Sequence, residues 1–152
     1  TAYQITSMLE GVVKRGTGRK LRNLNLSLAG KTGTTNNFRD AWFSGFNSSV
    51  VTTVWIGFDQ PKDLGKGEAG SRAALPVWID YMKEALKGVP ETELEQPDSV
   101  VSVRIGRDSA SPVDEDDPDG FTEYFMAGTE PTPSNPRGPK SGGPAIVTEG
   151  LF

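Results

Sequence analysis

Hydrophobic and polar positions follow three rhythms along the chain. From Ala2 to Arg15, Ile5, Met8, Leu9, Val12 and Val13 recur at three- and four-residue spacing, which predicts an amphipathic helix with one core-facing stripe. Thr1 stands at the N-cap position and Gly16-Thr17-Gly18 stops the helix. Leu24, Leu26 and Leu28 then alternate with Asn25 and Ser27. "DAWFSGFN" (residues 40–47) has aromatics on both sides of its alternation, as expected of a strand buried on both faces; Trp42, Phe43, Trp55 and Phe58 are accordingly expected in the core. "VVTTVWIGF" (residues 50–58) is the strongest strand, rich in β-branched residues, and Asn47-Ser48-Ser49 is short enough for a hairpin. Over residues 72–87, Leu75, Trp78, Ile79, Met82 and Leu86 return to helical spacing. Pro76 falls in the first turn of that helix, where a missing N–H costs little, and Gly88 and Pro90 end it. The pattern predicts an α+β fold, an antiparallel sheet packed against helices.

Beyond Pro97 the rhythm changes. Val100, Val101, Val103 and Ile105 predict one more strand, followed by the acidic turn "SPVDEDDPDG" and the semi-apolar segment "FTEYFMAGTEPTP". Asp114-Glu115-Asp116-Asp117 lacks the spaced ligands and final bidentate Glu of a calcium loop, so a solvated turn is expected. From residue 131, Pro, Gly and Ser dominate and predict disorder. The expected organisation is a lobe over residues 1–97, an extension packed on it over 98–130, and a tail over 131–152.

Composition narrows the chemistry. The chain has 152 residues and a net charge of −4, with no basic run, which argues against a nucleic-acid surface. Arg15, Arg19, Lys20 and Arg22 form only a small cluster, read as a solvated turn. Neither Cys nor His occurs, which removes thiolate nucleophiles, Ser-His pairs and the usual zinc ligands; no metal or cofactor is expected. No apolar run reaches about 18 residues, the length that suggests a membrane-spanning helix. Two sequons, at Asn25 and Asn47, have no supporting context. The chain opens on a helical pattern without Met and is expected to be a piece of a longer one.

Candidate chemistry concentrates in "SLAGKTGTTNNFRDAWFSGF" (residues 27–46). Gly30-Lys31-Thr32 could end a phosphate loop, but the first motif glycine is replaced by Asn25, and the residues after Thr32 are poor helix formers leading to a strand. A lysine on an edge strand facing a cleft fits better. Gly33 lets a substrate approach the backbone, because a Cβ there would push it away. Thr32 and Thr34 share a face, and their hydroxyls can bind an anionic group that Lys31 also attracts. The Thr34 N–H is placed to stabilise an oxyanion. Thr35 is either cleft wall or structural hydroxyl. Arg39 and Asp40 are read as a local ion pair setting the turn, and Gly65 to Ser71 as a loop bordering the cleft, with Glu68 a candidate contact for a substrate amine.

"KTGTTNNFRDAWFSGF", "VVTTVWIGFDQPKDLGKGEAGSRAALPVW" and "EYFMAGTEPT" resemble the C-terminal part of the transpeptidase domain in class A, bifunctional penicillin-binding proteins of the 1a type. The resemblance covers roughly residues 1–130. It implies the penicillin-recognising fold shared with β-lactamases, in a peptidoglycan synthase held in the inner membrane by an upstream anchor and facing the periplasm. An upstream glycosyltransferase domain is implied too. The implied partners are stem peptides ending in D-Ala-D-Ala, β-lactams, and the remainder of the same polypeptide, which carries the nucleophilic Ser of a Ser-x-x-Lys motif. Lys31 and Thr34 take catalytic roles, and Lys31, Thr32, Gly33, Thr34 and Thr35 form the substrate-binding set.

No serine here has Lys three positions on, and Ser-x-Asn is absent as well. In the family both motifs precede the Lys-Thr-Gly strand, so this chain alone is expected not to acylate. The alternatives are a D,D-carboxypeptidase or serine β-lactamase of the same superfamily, and a non-catalytic partner-binding module.

Overall fold

The computed structural model describes residues 1–133, so most of the 131–152 tail lies outside the described residues. The chain divides into two compact units, Thr1–Glu95 and one beginning at Gln96.

In the first unit, α1 (Ala2–Arg15) leads through a 3₁₀ turn (Arg19–Leu24) into β1 (Ala29–Thr34). A second 3₁₀ turn (Asn36–Phe38), β2 (Ala41–Phe46), β3 (Val51–Ile56) and α2 (Ala74–Ala85) follow. The three strands form one antiparallel sheet in the order β1-β2-β3, with Lys31 opposite Ser44 and Trp42 opposite Trp55. The hairpin between β2 and β3 closes on Asn47, whose side-chain oxygen accepts the N–H groups of Ser49 (3.0 Å) and Val50 (2.8 Å).

The core lies between one face of the sheet and α2. Leu75, Trp78 and Met82, at helical spacing, are fully buried against Ala41 and Phe43. The Trp78 ring meets Phe43 edge-on at 5.1 Å, and its indole N–H donates to the Thr52 carbonyl at 2.9 Å. Gly45 makes this packing possible, since a Cβ there would lie 2.8 Å from the Trp78 ring.

Three expectations need correction. β2 is buried on one face only: Ala41, Phe43 and Gly45 are covered, whereas Trp42 is 40% exposed. Of the four aromatics expected in the core, Phe43 alone is there; Trp55 and Phe58 are 43% and 42% exposed. Strand alternation puts Trp42 and Trp55 on the face away from α2, where their rings lie 6.0 Å apart. The α1 stripe is likewise only partly core. Val13 is buried, but Ile5 and Met8 are 50% and 53% exposed. Third, Arg22 of the basic cluster is no bystander: its guanidinium bonds the Val13 and Lys14 carbonyls at the end of α1.

The second unit is a hairpin of β4 (Val100–Gly106) and β5 (Gly120–Met126), antiparallel with Val100 opposite Met126. The semi-apolar segment is therefore a strand. The Asp117 carboxylate accepts the Asp119 N–H (2.8 Å) and its carbonyl accepts Arg104 (2.6 Å), so this acidic residue closes the turn. No helix among the described residues is long and apolar enough to cross a membrane.

Candidate active site

β1 is an edge strand. Its phase follows from one bond at its end: the Thr35 N–H donates to the Asp40 carbonyl at 3.1 Å. In an antiparallel ladder, hydrogen-bonded and non-bonded pairs alternate. Carried along the register, Gly33–Trp42 and Lys31–Ser44 are bonded pairs, while Thr34–Ala41 and Thr32–Phe43 are not. The N–H and C=O groups of Thr32 and Thr34 therefore point away from β2, and no strand among the described residues pairs with that edge.

Side chains complete the edge. Thr32 and Thr34 share the α2 face, and Lys31 starts from the opposite one. The exposed Lys31 chain nevertheless wraps round the edge, so that Nζ lies 2.7 Å from the Thr32 carbonyl and 3.4 Å from Thr32 Oγ1. Thr32 Oγ1 also meets Thr17 Oγ1 at 3.1 Å. An ammonium group, two hydroxyls and outward N–H groups thus lie along a single strip. That set can hold a carboxylate and, next to it, an oxygen gaining negative charge.

The loop before α2 borders this strip. The Gly70 N–H donates to Thr34 Oγ1 at 3.1 Å, which leaves the hydroxyl proton to point elsewhere. Gly70 has to be glycine: a Cβ would stand 2.2 Å from the Trp42 carbonyl oxygen and 2.7 Å from that of Gly33. A Cβ on Gly33 would first meet Trp42 Cβ, at 3.1 Å, so the neighbouring strand as well as substrate approach restricts that position. Glu68 pairs with Arg72 at 3.3 Å, within the loop.

Thr35 faces a different partner. Its hydroxyl donates to Asp40 Oδ2 (3.1 Å) and accepts the Asp40 N–H (2.8 Å). The second Asp40 oxygen accepts the Trp55 indole N–H at 2.9 Å. No Arg39–Asp40 ion pair occurs among the described residues; the carboxylate is taken by Thr35 and Trp55 instead. Sequence reasoning placed Thr17 only in the helix stop, for nothing local links it to Thr32. A hollow lined by Thr6, Glu10, Ser27, Ala29 and Phe46 opens at the other end of β1 and includes none of the strip residues.

The chain is 46% identical over 153 residues to penicillin-binding protein 1A of Pseudomonas aeruginosa, covering 99% of this chain and 19% of that protein. With penicillin-binding protein 1A of Neisseria lactamica the identity is 51% over 102 residues, 66% of this chain and 13% of that one. The chain belongs to the penicillin-binding protein 1A family. It matches the C-terminal, transpeptidase part of these proteins. The crystal structure of penicillin-binding protein 1A from Haemophilus influenzae matches with a TM-score of 0.77 at 40% identity, over 86% of this chain and 21% of that chain. The α+β architecture, with its antiparallel sheet against helices, is thus that of the penicillin-binding protein 1A transpeptidase domain. No protein-family model matches the chain. This chain spans a small share of each relative it matches.

Proposed function

We propose that this chain forms one wall of the acyl-transfer site of a D,D-transpeptidase within a peptidoglycan synthase. The remainder of the same polypeptide supplies the Ser-x-x-Lys and Ser-x-Asn groups, a glycosyltransferase domain and a membrane anchor that holds the domain on the periplasmic side. The donor stem peptide lies along the outer edge of β1 as an added strand. Its terminal carboxylate is held by Lys31, with the Thr32 and Thr34 hydroxyls beside it, and Gly33 keeps the strip low. The serine oxygen bonds to the penultimate D-Ala carbonyl carbon while the Thr34 N–H stabilises the oxyanion. The C–N bond then breaks, and D-Ala leaves, its amine carrying the proton that the serine hydroxyl gave up. An amine of a neighbouring stem peptide displaces the serine and completes the cross-link. A β-lactam, with its own carboxylate, enters the same path and stops at the acyl-enzyme.

The carrying observation is the outer edge of β1, which no strand among the described residues pairs, with the Lys31 ammonium folded onto it beside the outward Thr32 and Thr34 backbone. The test is acylation of the full-length protein by a fluorescent penicillin. Lys31→Ala should slow labelling by roughly tenfold or more, the value of one charge-assisted hydrogen bond. The isolated 152-residue chain should not be labelled at all. Wild-type labelling of Lys31→Ala, or a stoichiometric adduct on the isolated chain, contradicts the reading.

A further inference from the structure

We propose that Asp40 is a positioning residue of this site: its carboxylate ties Thr35, at the end of the Lys-Thr-Gly strand, to Trp55 on the far strand of the sheet. The inference rests on the reading of Thr34 as oxyanion donor. An edge strand has a ladder on one side only, and β1 ends at Thr34, the residue that carries its proposed catalytic N–H. The link that follows runs through Asn37 and Phe38, both in the left-handed region (φ 61° and 51°), a conformation that costs non-glycine residues energy. Without a further hold, this end of β1 would fray together with that link.

Asp40 supplies the hold in three bonds. Its N–H and one carboxylate oxygen close a two-way bond with the Thr35 hydroxyl, and the other oxygen accepts Trp55 Nε1. Trp55 is itself pinned. It packs on Trp42, and its indole lies so close over Gly57 that a Cβ there would be 2.4 Å from Cζ2. Trp42 in turn is the bonded partner of Gly33. The tether thus runs from β3 across β2 to both sides of Thr34, and does not touch the Lys31 ammonium. Asp40 accordingly acts on where the Thr34 N–H points and not on how tightly ligand binds.

The test uses the full-length protein and separates pre-covalent penicillin affinity from the acylation rate constant. Asp40→Ala should lower the rate constant by roughly tenfold to a hundredfold, as a small misplacement of a reacting group does, and change affinity by less than about threefold. Trp55→Phe keeps the ring but removes the indole N–H, and should lower the rate constant in the same direction by less. Asp40→Asn should recover most of the rate, because its oxygen accepts from Trp55 while its amide donates to Thr35. Hydrogen exchange over residues 30–40 should quicken in Asp40→Ala and Trp55→Phe. A lowered melting temperature in Asp40→Ala with an unchanged acylation constant would make the role structural and overturn the proposal. If Asp40→Ala does not fold, Trp55→Phe decides, and wild-type acylation and exchange in it overturn the tether. A slow Lys31→Ala beside a fast Asp40→Ala and Trp55→Phe refutes this inference alone; a fast Lys31→Ala removes the underlying reading and this proposal with it.

Discussion

Gly70 donates its backbone N–H to the hydroxyl of Thr34, bringing together two residues 36 positions apart in the chain. The loop ahead of α2 is thereby seated on the end of the Lys-Thr-Gly strand, against the carbonyls of Gly33 and Trp42. The contact uses the Thr34 oxygen as acceptor and leaves its hydroxyl proton free of the loop.

Gly70→Ala should therefore harm both stability and acylation. Its methyl group would meet backbone atoms, which cannot swing aside as a flexible side chain can. The expected loss is about 1–3 kcal/mol of stability, the usual range for overpacking. In the full-length protein, chemical denaturation and penicillin labelling measured on the same preparation should both move. Unchanged labelling would mean that the loop does not set the geometry of Thr34.

Trp78 offers a test of the core apart from the site. It is fully buried, meets Phe43 and bonds the Thr52 carbonyl. Trp78→Ala should cost about 3–5 kcal/mol, and Trp78→Phe less. Val51, 79% exposed, is the control: Val51→Thr should stay within about 0.5 kcal/mol. Denaturation midpoints that rank these three differently would mean that the layer between α2 and the sheet is not the main core.

Much of this arrangement was legible in the residues. The α2 stripe named Leu75, Trp78 and Met82 as core because a 3.6-residue period has one solution against a sheet. The edge-strand place of the Lys-Thr-Gly stretch was legible too, from a glycine-flanked lysine followed at once by a strand-like segment. The faces of β2 were harder to read, since Trp42 and Phe43 are adjacent aromatics and hydrophobicity alone cannot say which points inward. The same ambiguity put Trp55 in the core. Thr17 on Thr32 and Gly70 on Thr34 are contacts between distant residues and left no local pattern. Arg39-Asp40 invited an ion pair by adjacency, but Arg39 ends a 3₁₀ turn and the Asp40 carboxylate is taken by Thr35 and Trp55.

The Glu91 carboxylate carries a pH signature. It accepts the backbone N–H of Ser27 just ahead of β1, and this bond, reinforced by the Ser27 side chain, holds its pKa below the usual Glu value. A group lowered on folding stabilises the folded state above its unfolded pKa, and that contribution fades as pH falls through the folded value. Wild type should thus exceed Glu91→Gln in melting temperature near neutral pH, and the gap should close below about pH 4.3. A gap independent of pH between about 7 and 3 would show that the Ser27 bond does not depend on the charge.

The last prediction concerns which group of the donor Lys31 recognises. Among the described residues of β1, Lys31 is the one cation, and its ammonium reaches the edge where Thr32 presents both a carbonyl and a hydroxyl. If it holds the donor carboxylate, removing either partner should remove the same interaction. Lys31→Ala with a normal donor, and wild type with a donor whose terminal carboxylate is amidated, should each acylate slowly. Each loss should be about tenfold to a hundredfold, from about 1.5–3 kcal/mol for a charge-assisted hydrogen bond. The combination should be little worse than either alone, because the second change finds nothing left to break. Thr34→Val keeps shape and strand propensity and removes one hydroxyl, so it should cost less than the lysine change. The experiment is a cycle of acylation rates in the full-length protein, enzyme change against substrate change. If the two losses multiply, Lys31 does not hold the carboxylate, and its part is confined to moving protons or holding the strand. If they fail to multiply only when Thr32 and Thr34 are intact, the hydroxyls and the ammonium act as one anion site, as their common place on the edge of β1 implies.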